Sequence, residues 1–228
     1  MHPYVTNIHN LLNKHRNDLD ALPMKKYMRE QFEFFGIKSE QRRDISKKYL
    51  NSNPLPEKKE LQQIVKELWL LPERELQYFA IELLIKCKKL WTENDAAFFE
   101  YLIVHKSWWD TVDYLANQVV GPWLLKFPVH IQPVTESWNK SKNIWLQRMS
   151  ILFQLKYKRQ TDLELLSKYI ENLANSKEFF VQKSNWMDTK GIFKNGSVIC
   201  PKLCFKNPLM PLSKREALKV IERKKSDR

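Results

Sequence analysis

Residues 107–113 read Ser-Trp-Trp-Asp-Thr-Val-Asp, which places two indole rings and two carboxylates within about two turns of a helix. Trp109 and Asp113 are four residues apart, so on an α-helix they lie on one face, one above the other. An indole beside a carboxylate suits a ligand that carries or develops positive charge. Two ordinary interpretations stay open at this point. Tryptophans at helical spacing usually belong to a core, as Trp108 could, and an aspartate near a helix start usually caps it.

The pattern of residues 107–113 recurs further along the chain. It reads Ser-Lys-Asn-Ile-Trp-Leu-Gln at 141–147 and Ser-Lys-Glu-Phe-Phe-Val-Gln at 176–182. A Gln followed by a basic or aromatic residue also occurs at Gln41 and Gln77, so the copies stand 34–36 residues apart. A two-helix unit at this period is typical of an α-solenoid, whose stacked repeats form an extended concave surface.

In this register, Asp113 stands where the other copies have Gln. Arg42, Arg148 and Lys183 follow that position in their own copies, so they are predicted to form a basic stripe that Asp113 interrupts. A basic stripe suits a phosphodiester backbone, whereas an acidic residue there is costly unless a positive charge meets it. A glycosidic bond that breaks through an oxocarbenium-like sugar supplies such a charge. The alternative is an ordinary solvated charged face.

Helical periodicity extends along the chain, strand-like alternation is scarce and only four glycines are present. Pro23 is predicted to close the first helical unit, and Gly36 to end the second. The predicted helices span residues 4–19, 24–35, 40–50, 57–70, 73–90, 93–105, 109–120, 143–157 and 162–174, and a last one begins at 178. We therefore predict an all-α fold, an α-solenoid, in a single domain over residues 1–228.

The chain carries 39 Lys and Arg against 26 Asp and Glu, a net charge of +13. This excess implies an anionic partner, either nucleic acid or a membrane surface, and charge alone does not choose between them. The three cysteines, Cys87, Cys200 and Cys204, are an odd number for disulfide pairing and have no histidines near them in sequence that could join them as metal ligands. We therefore predict a reduced setting and no metal site. Because no apolar run is long enough to span a bilayer and no signal-peptide core is present, we predict a cytoplasmic protein without a membrane partner.

Five blocks of the chain occur in the order and spacing of a known family. They read Lys-Ser-Trp-Trp-Asp-Thr-Val-Asp at 106–113, Asn-Ile-Trp-Leu-Gln-Arg at 143–148, Ile-Leu-Phe-Gln-Leu-Lys-Tyr-Lys at 151–158, Ser-Lys-Glu-Phe-Phe-Val-Gln-Lys at 176–183 and Pro-Leu-Ser-Lys-Arg-Glu-Ala at 211–217. Together they resemble the AlkD family of bacterial DNA glycosylases. The resemblance runs from about residue 1 to 183 and resumes near 209. It implies a solenoid of HEAT-like antiparallel helix pairs with a concave basic face.

The resemblance also implies an activity. Members of that family excise cationic N3- and N7-alkylated purines from duplex DNA, without a metal or other cofactor and without flipping the base into a pocket. It implies that Asp113 is the catalytic carboxylate, which stabilises the developing sugar cation and positions the attacking water. It implies that Trp109 contacts the deoxyribose of the lesion.

The DNA-binding residues are carried over in the same way. The resemblance implies that Arg148 holds a phosphate near the lesion, and that Tyr27, Lys38 and Ser39 approach the opposite strand or the backbone. The family usually has a neutral residue where Lys38 stands. The predicted DNA-binding set is completed by the basic residues Arg42, Arg43, Lys106 and Lys183.

Residues 184–206 depart from the family pattern. The family continues as an amphipathic helix with a second active-site tryptophan, whereas Gly191, Gly196 and Pro201 interrupt the apolar period here. Trp186 lies one position before that second tryptophan and is the third candidate catalytic residue. We hypothesise a reading-frame slip, because a shift of one base over permitted codons for 183–197 restores a helical sequence with the expected indole. The coding DNA tests this hypothesis.

The leading prediction is a monomeric DNA glycosylase that acts on alkylated purines in double-stranded DNA. One alternative is a non-catalytic DNA-binding solenoid that lost activity through the altered segment 184–206. The other is a protein-interaction solenoid. Without the resemblance, the residues predict a nucleic-acid-binding helical repeat protein and nothing finer.

Overall fold

A computed structural model of the chain describes residues 1–182, which fold into helices joined by short turns. They divide into two compact units, one over residues 1–98 and one that begins at residue 99. Within residues 1–182 the β-structure is limited to one isolated bridge, between Glu33 and Glu73. The all-α prediction is confirmed, and the packing of consecutive helices inside each unit is consistent with an α-solenoid. The prediction of a single domain over 1–228 stays a prediction.

The first unit contains α1 (Pro3–Asn13), α2 (Asp18–Tyr27), α3 (Ser39–Ser52), α4 (Lys58–Leu70) and α5 (Arg74–Lys86), with 3-10 turns at Lys88–Leu90 and Glu93–Asp95. The division between the units falls inside α6 (Ala96–Val104). The second unit continues with α7 (Trp109–Leu115), a π-helical turn (Ala116–Val120), α8 (Gly121–Lys126), α9 (Ile131–Asn139), α10 (Ile144–Leu152) and α11 (Leu163–Asn172). It also has 3-10 turns at Pro128–His130 and Lys158–Gln160 and helical residues at 179–182. None of the helices in this described part is long and apolar enough to cross a membrane.

Helix α1 shows how apolar spacing builds the core of the first unit. Val5, Ile8 and Leu12 recur at helical spacing, and all three are fully buried where α1 packs against α3 and α4. Each such side chain contributes about 1.5–3 kcal/mol on burial. The helix begins at Pro3, whose missing N–H is of no consequence in a first turn, and the imidazole of His2 accepts the N–H of Tyr4.

The segment after α1 departs from the predicted pattern. The helix predicted over 4–19 is wrong, because α1 ends at Asn13 and a separate α2 begins at Asp18. The side chain of Asn17 caps α2 by accepting two backbone N–H groups, a stronger start signal than the apolar spacing suggested. Pro23 therefore lies inside α2 instead of closing a helical unit.

A buried carboxylate, that of Glu75, organises the segment between α2 and α3. It accepts the backbone N–H groups of Phe35, Gly36 and Ile37 at 3.1, 3.0 and 3.2 Å. The helix predicted over 24–35 is wrong, because α2 ends at Tyr27 and these N–H groups bond to Glu75 instead of to carbonyls one turn earlier. Burial raises the pKa of Glu75, and the hydrogen bonds from the backbone oppose that shift.

Helix α10 is central to the second unit, because α7, α9 and α11 all pack against it. Met149 and Leu152 on this helix are fully buried. A buried amide connects its neighbours, since Asn139 donates to the hydroxyl of Ser150 at 3.0 Å and to the carbonyl of Tyr169 at 3.3 Å. The helix ends at Leu152, five residues before the predicted end.

Gly36 gives a stability test of the segment between α2 and α3. Its φ is +83°, and a Cβ there would lie 2.0 Å from the carbonyl oxygen of Asn17. We expect Gly36→Ala to lower the free energy of unfolding by at least about 2 kcal/mol in urea denaturation, because left-handed strain and a backbone clash add. Glu30→Gly is the matched control. Glu30 is exposed with φ +59°, so glycine relieves strain there and stability should change by less than about 1 kcal/mol. Equal losses in both variants would contradict this account.

Candidate active site

The chain turns sharply just before the stretch 107–113. Lys106 has a left-handed φ of +49°, and the hydroxyl of Ser107 donates to the carbonyl of Ile103 at 2.6 Å, which ends α6. Trp108 is extended, and α7 begins at Trp109. Trp109 and Asp113 therefore both belong to α7, four residues apart on one face, as the spacing predicted.

Asp113 makes a bidentate ion pair with Arg148 of α10. The Nε of Arg148 donates to Oδ1 of Asp113 and the Nη2 donates to Oδ2, both at 2.8 Å. The Arg148 side chain is 1% exposed, whereas the Asp113 side chain is 18% exposed. The arginine is thus buried inside the unit and the carboxylate reaches the surface. Two parallel N–H bonds fix the plane of the carboxylate, and each oxygen keeps a lone pair for a further contact.

Three aromatic rings pack beside this ion pair. The ring centroids of Trp108 and Trp145 are 5.7 Å apart, and that of Phe180 is 5.1 Å from each of them. Phe180 also contributes its carbonyl oxygen, which accepts a hydrogen bond from Nη1 of Arg148 at 2.5 Å. We call Trp108, Trp145 and Phe180 the aromatic cluster.

Three of the four glutamines of the repeat pattern, all but the exposed Gln41, share one structural contact. The side-chain amide of Gln147 donates to the carbonyl of Ser141, and that of Gln182 donates to the carbonyl of Ser176. Gln77 donates to Leu71 in the same way, so in all three copies the acceptor lies six residues before the Gln. A carboxylate cannot donate such a bond. Asp113 instead accepts hydrogen bonds from Arg148 of the following copy. The side chain at this position therefore bonds between two repeats, whereas each of the three glutamines bonds within its own repeat.

The helix that carries Asp113 continues through the π-helical turn at Ala116–Val120. Asn117 at its start donates a side-chain hydrogen bond to the carbonyl of Asp113 at 2.8 Å. Gly121 follows the turn, and a Cβ there would lie 2.4 Å from the carbonyl oxygen of Phe153. Single π turns inside α-helices occur frequently at functional sites.

Three of the predicted DNA-binding residues lie together in the first unit. Tyr27, Ser39 and Arg42 line one cavity of about 380 Å³, whose walls are otherwise largely apolar. Tyr27 is 69% exposed, whereas Arg42 is buried below Tyr78, with its guanidinium carbon 4.8 Å from the ring centroid. Lys38 is exposed and pairs loosely with Asp20, at 3.4 Å.

A second, basic groove in the first unit includes another predicted residue. Arg43 is exposed on α3 and lines this groove of about 450 Å³. The groove is also lined by the cationic residues Lys47, Lys86 and Lys88. These side chains supply the positive charge that a phosphate backbone requires.

The prediction of an exposed basic stripe needs correction for two of its three residues. Arg42 is 6% exposed and pairs with Glu82 at 2.7 Å, and Arg148 is 1% exposed and pairs with Asp113. Both guanidiniums are therefore buried in ion pairs and do not form an exposed stripe. Their predicted contacts with DNA stay predictions. The third member, Lys183, lies outside the described residues, as do Trp186 and the segment 184–206.

The sequence interpretation missed the aromatic cluster, although the repeat register contained a signal for it. Trp145 and Phe180 each stand two positions before the Gln of their own copy. Equivalent aromatic residues in successive repeats are expected to stack. The roles of Trp109 and Lys106 stay predictions; both side chains are half-buried. Within residues 1–182, no three His, Cys, Asp or Glu side chains are grouped so that they could hold a metal ion.

Comparison with known proteins defines the class of this chain as an all-helical enzyme of DNA repair. Residues 8–187 match the family model described as DNA alkylation repair enzyme, and the chain belongs to that family. The chain is similar to a solved structure described as a predicted DNA alkylation repair enzyme from Enterococcus faecalis. The two are 28% identical with a TM-score of 0.83, over 90% of this chain and 95% of that one. A search of curated proteins gave no match.

The glutamine contact gives a stability test of the repeat register. Gln77 is fully buried, and its amide donates to the carbonyls of Leu68, Trp69 and Leu71. We expect Gln77→Met to lower the free energy of unfolding by about 1–3 kcal/mol, because it removes the hydrogen bonds that the buried amide donates to these carbonyls. Gln63→Met, at an exposed position on α4, should cost less than about 0.5 kcal/mol. If urea denaturation gives the same small change in the free energy of unfolding for both variants, the hydrogen bonds of Gln77 do not stabilise the repeat.

Proposed function

We propose that this chain is a DNA glycosylase of the AlkD type, which hydrolyses the N-glycosidic bond of cationic N3- and N7-alkylated purines in double-stranded DNA. The carboxylate of Asp113, fixed by Arg148 and partly exposed on the same helix face as Trp109, is the observation that carries this proposal. Membership of the DNA alkylation repair enzyme family supports it. The proposal includes a monomer that acts in the cytoplasm, without a metal and without a pocket for a flipped base.

The chemistry follows from the charge of the substrate. An N3- or N7-alkylated purine is already cationic, so when the bond from C1′ to the base nitrogen breaks, both electrons go to the base and it leaves neutral. No general acid is required for that step. The deoxyribose is left with an oxocarbenium charge, which a nearby carboxylate stabilises.

Asp113 performs two tasks in this scheme. Its negative charge meets the sugar cation, and a free lone pair accepts a hydrogen bond from the water that attacks C1′. The water oxygen bonds to C1′ and its proton passes to the carboxylate or to solvent. Arg148 holds the carboxylate in place through both steps, and the indole of Trp109 packs against the sugar.

Base release tests the proposal directly. We expect the wild-type chain to release methylated purine from methylated duplex DNA, and Asp113→Asn to lower kcat by at least about a hundredfold, since it removes the charge that the sugar cation requires. Asp110→Asn is the matched control, one turn earlier on the same helix, and should retain kcat within about threefold. DNA binding without release by the wild-type chain would favour the non-catalytic DNA-binding alternative, which the altered segment 184–206 suggests.

Salt dependence separates a DNA-binding protein from a protein-interaction solenoid. With four or more phosphate contacts, affinity for undamaged duplex should fall at least about a hundredfold between about 50 and 200 mM salt. Arg43→Gln should reduce the slope of log K against log salt by about 0.9, because it removes one exposed cation of the basic groove. Lys14→Gln, at an exposed lysine after α1, is the control and should leave the slope unchanged. An affinity that barely changes with salt would support the protein-interaction alternative.

A further inference from the structure

We propose that Phe180 and Trp145 are positioning residues for the reaction, which set the orientation of Asp113 by fixing Arg148. The inference rests on the proposed glycosylase function and adds to it two residues that do not touch the substrate in the scheme above. The contacts that carry it are the carbonyl of Phe180 on Arg148 and the packing of the aromatic cluster.

The guanidinium of Arg148 is held from two sides. Nε and Nη2 donate to the two oxygens of Asp113, and Nη1 donates to the carbonyl oxygen of Phe180. Because a guanidinium is planar and rigid, a carbonyl that fixes one nitrogen fixes the direction in which the other two point. A shift of the Phe180 carbonyl therefore rotates the guanidinium, and with it the two N–H groups that hold the carboxylate of Asp113.

The aromatic cluster determines where that carbonyl lies. Trp108 directly precedes α7, Trp145 lies in the first turn of α10, and Phe180 lies in the helical residues 179–182. The three rings thus connect the three segments that supply Asp113, Arg148 and the Phe180 carbonyl. Each ring pair adds about 0.5–1.5 kcal/mol beyond the burial of its area.

In the described part of the chain, the packing of the aromatic cluster leaves one buried polar group without a hydrogen bond. The indole nitrogen of Trp108 is buried and has no hydrogen-bond partner. A buried donor of this kind costs about 1–3 kcal/mol. Packing of the ring against Trp145 and Phe180 offsets part of that cost and fixes the segment that leads into α7.

The neighbouring Phe179 is a natural control. It has the same side chain on the same turn and contacts the Phe180 ring, with centroids 5.3 Å apart, but it is 50% exposed. Within residues 1–182 its ring does not pack against Trp108 or Trp145, and the carbonyl that accepts from Arg148 belongs to Phe180. Comparison of the two phenylalanines separates the positioning of Arg148 from general effects on this turn.

The experiment measures kcat and KM for release of methylated purine from methylated duplex DNA, well below the melting temperature of each variant. We expect Phe180→Ala to lower kcat by about 10–100-fold with KM and the affinity for undamaged duplex unchanged within about threefold, because only the orientation of Asp113 is lost. Trp145→Leu should lower kcat in the same direction. Phe180→Tyr, which keeps the ring, and Phe179→Ala should both stay within about threefold of wild type.

A double substitution supplies a readout that loss of stability alone does not change. The variant Arg148→Lys cannot form the two parallel hydrogen bonds to Asp113. In its presence, the factor by which Phe180→Ala lowers kcat should be at least about ten times smaller than in the wild-type chain. Phe179→Ala should show no such coupling. If Phe180→Ala fails to fold, Phe180→Leu takes its place in the same cycle.

The outcomes are distinct. A wild-type chain that releases no base overturns the proposed function, and this inference with it. An active wild-type chain with normal kcat in Phe180→Ala, or with effects of Phe180→Ala and Arg148→Lys that simply multiply, overturns this inference alone.

Discussion

The bidentate pair between Arg148 and Asp113 is the contact on which the candidate site depends. It joins α7 to α10, the helix around which the second unit packs. The pair is asymmetric, because the guanidinium is buried and the carboxylate is partly exposed. Removing Asp113 from this pair costs about 3–5 kcal/mol, since the charge of Arg148 is left buried and unpaired. The same contact thus stabilises the fold and orients the group proposed for catalysis.

A single exchanged side chain creates this arrangement within the repeat pattern. In three copies a Gln donates to a carbonyl six residues earlier, a contact that closes the start of its own helix. Asp113 occupies the same register position, cannot donate, and bonds to the following copy instead. A repeated scaffold can therefore acquire a candidate reactive position through the exchange of one side chain, which accords with the general rule that function resides in sites placed on a common fold.

The sequence predicted what depends on local periodicity. Helix type, the shared face of Trp109 and Asp113 and the exchange of Gln for Asp113 all follow from spacing along one helix. Burial of Arg42 and Arg148 did not follow, because it depends on Glu82 and Asp113, which are 40 and 35 residues away. The segment after α2 was mispredicted for a similar reason, since its backbone bonds to Glu75 about 40 residues further on. Trp145 and Phe180 could be recognised in the sequence as equivalent positions of two repeats. Only the structure showed that the aromatic cluster packs beside the ion pair of Arg148 and Asp113.

The most direct test of the central claim is a double-mutant cycle of Asp113→Ala and Arg148→Ala, measured as the free energy of unfolding in urea. We expect each single substitution to destabilise the protein strongly and the double variant to be more stable than the sum of the two losses implies, with a coupling energy of at least about 2 kcal/mol. Losses that add within about 0.5 kcal/mol would contradict the claim that this ion pair holds the site together.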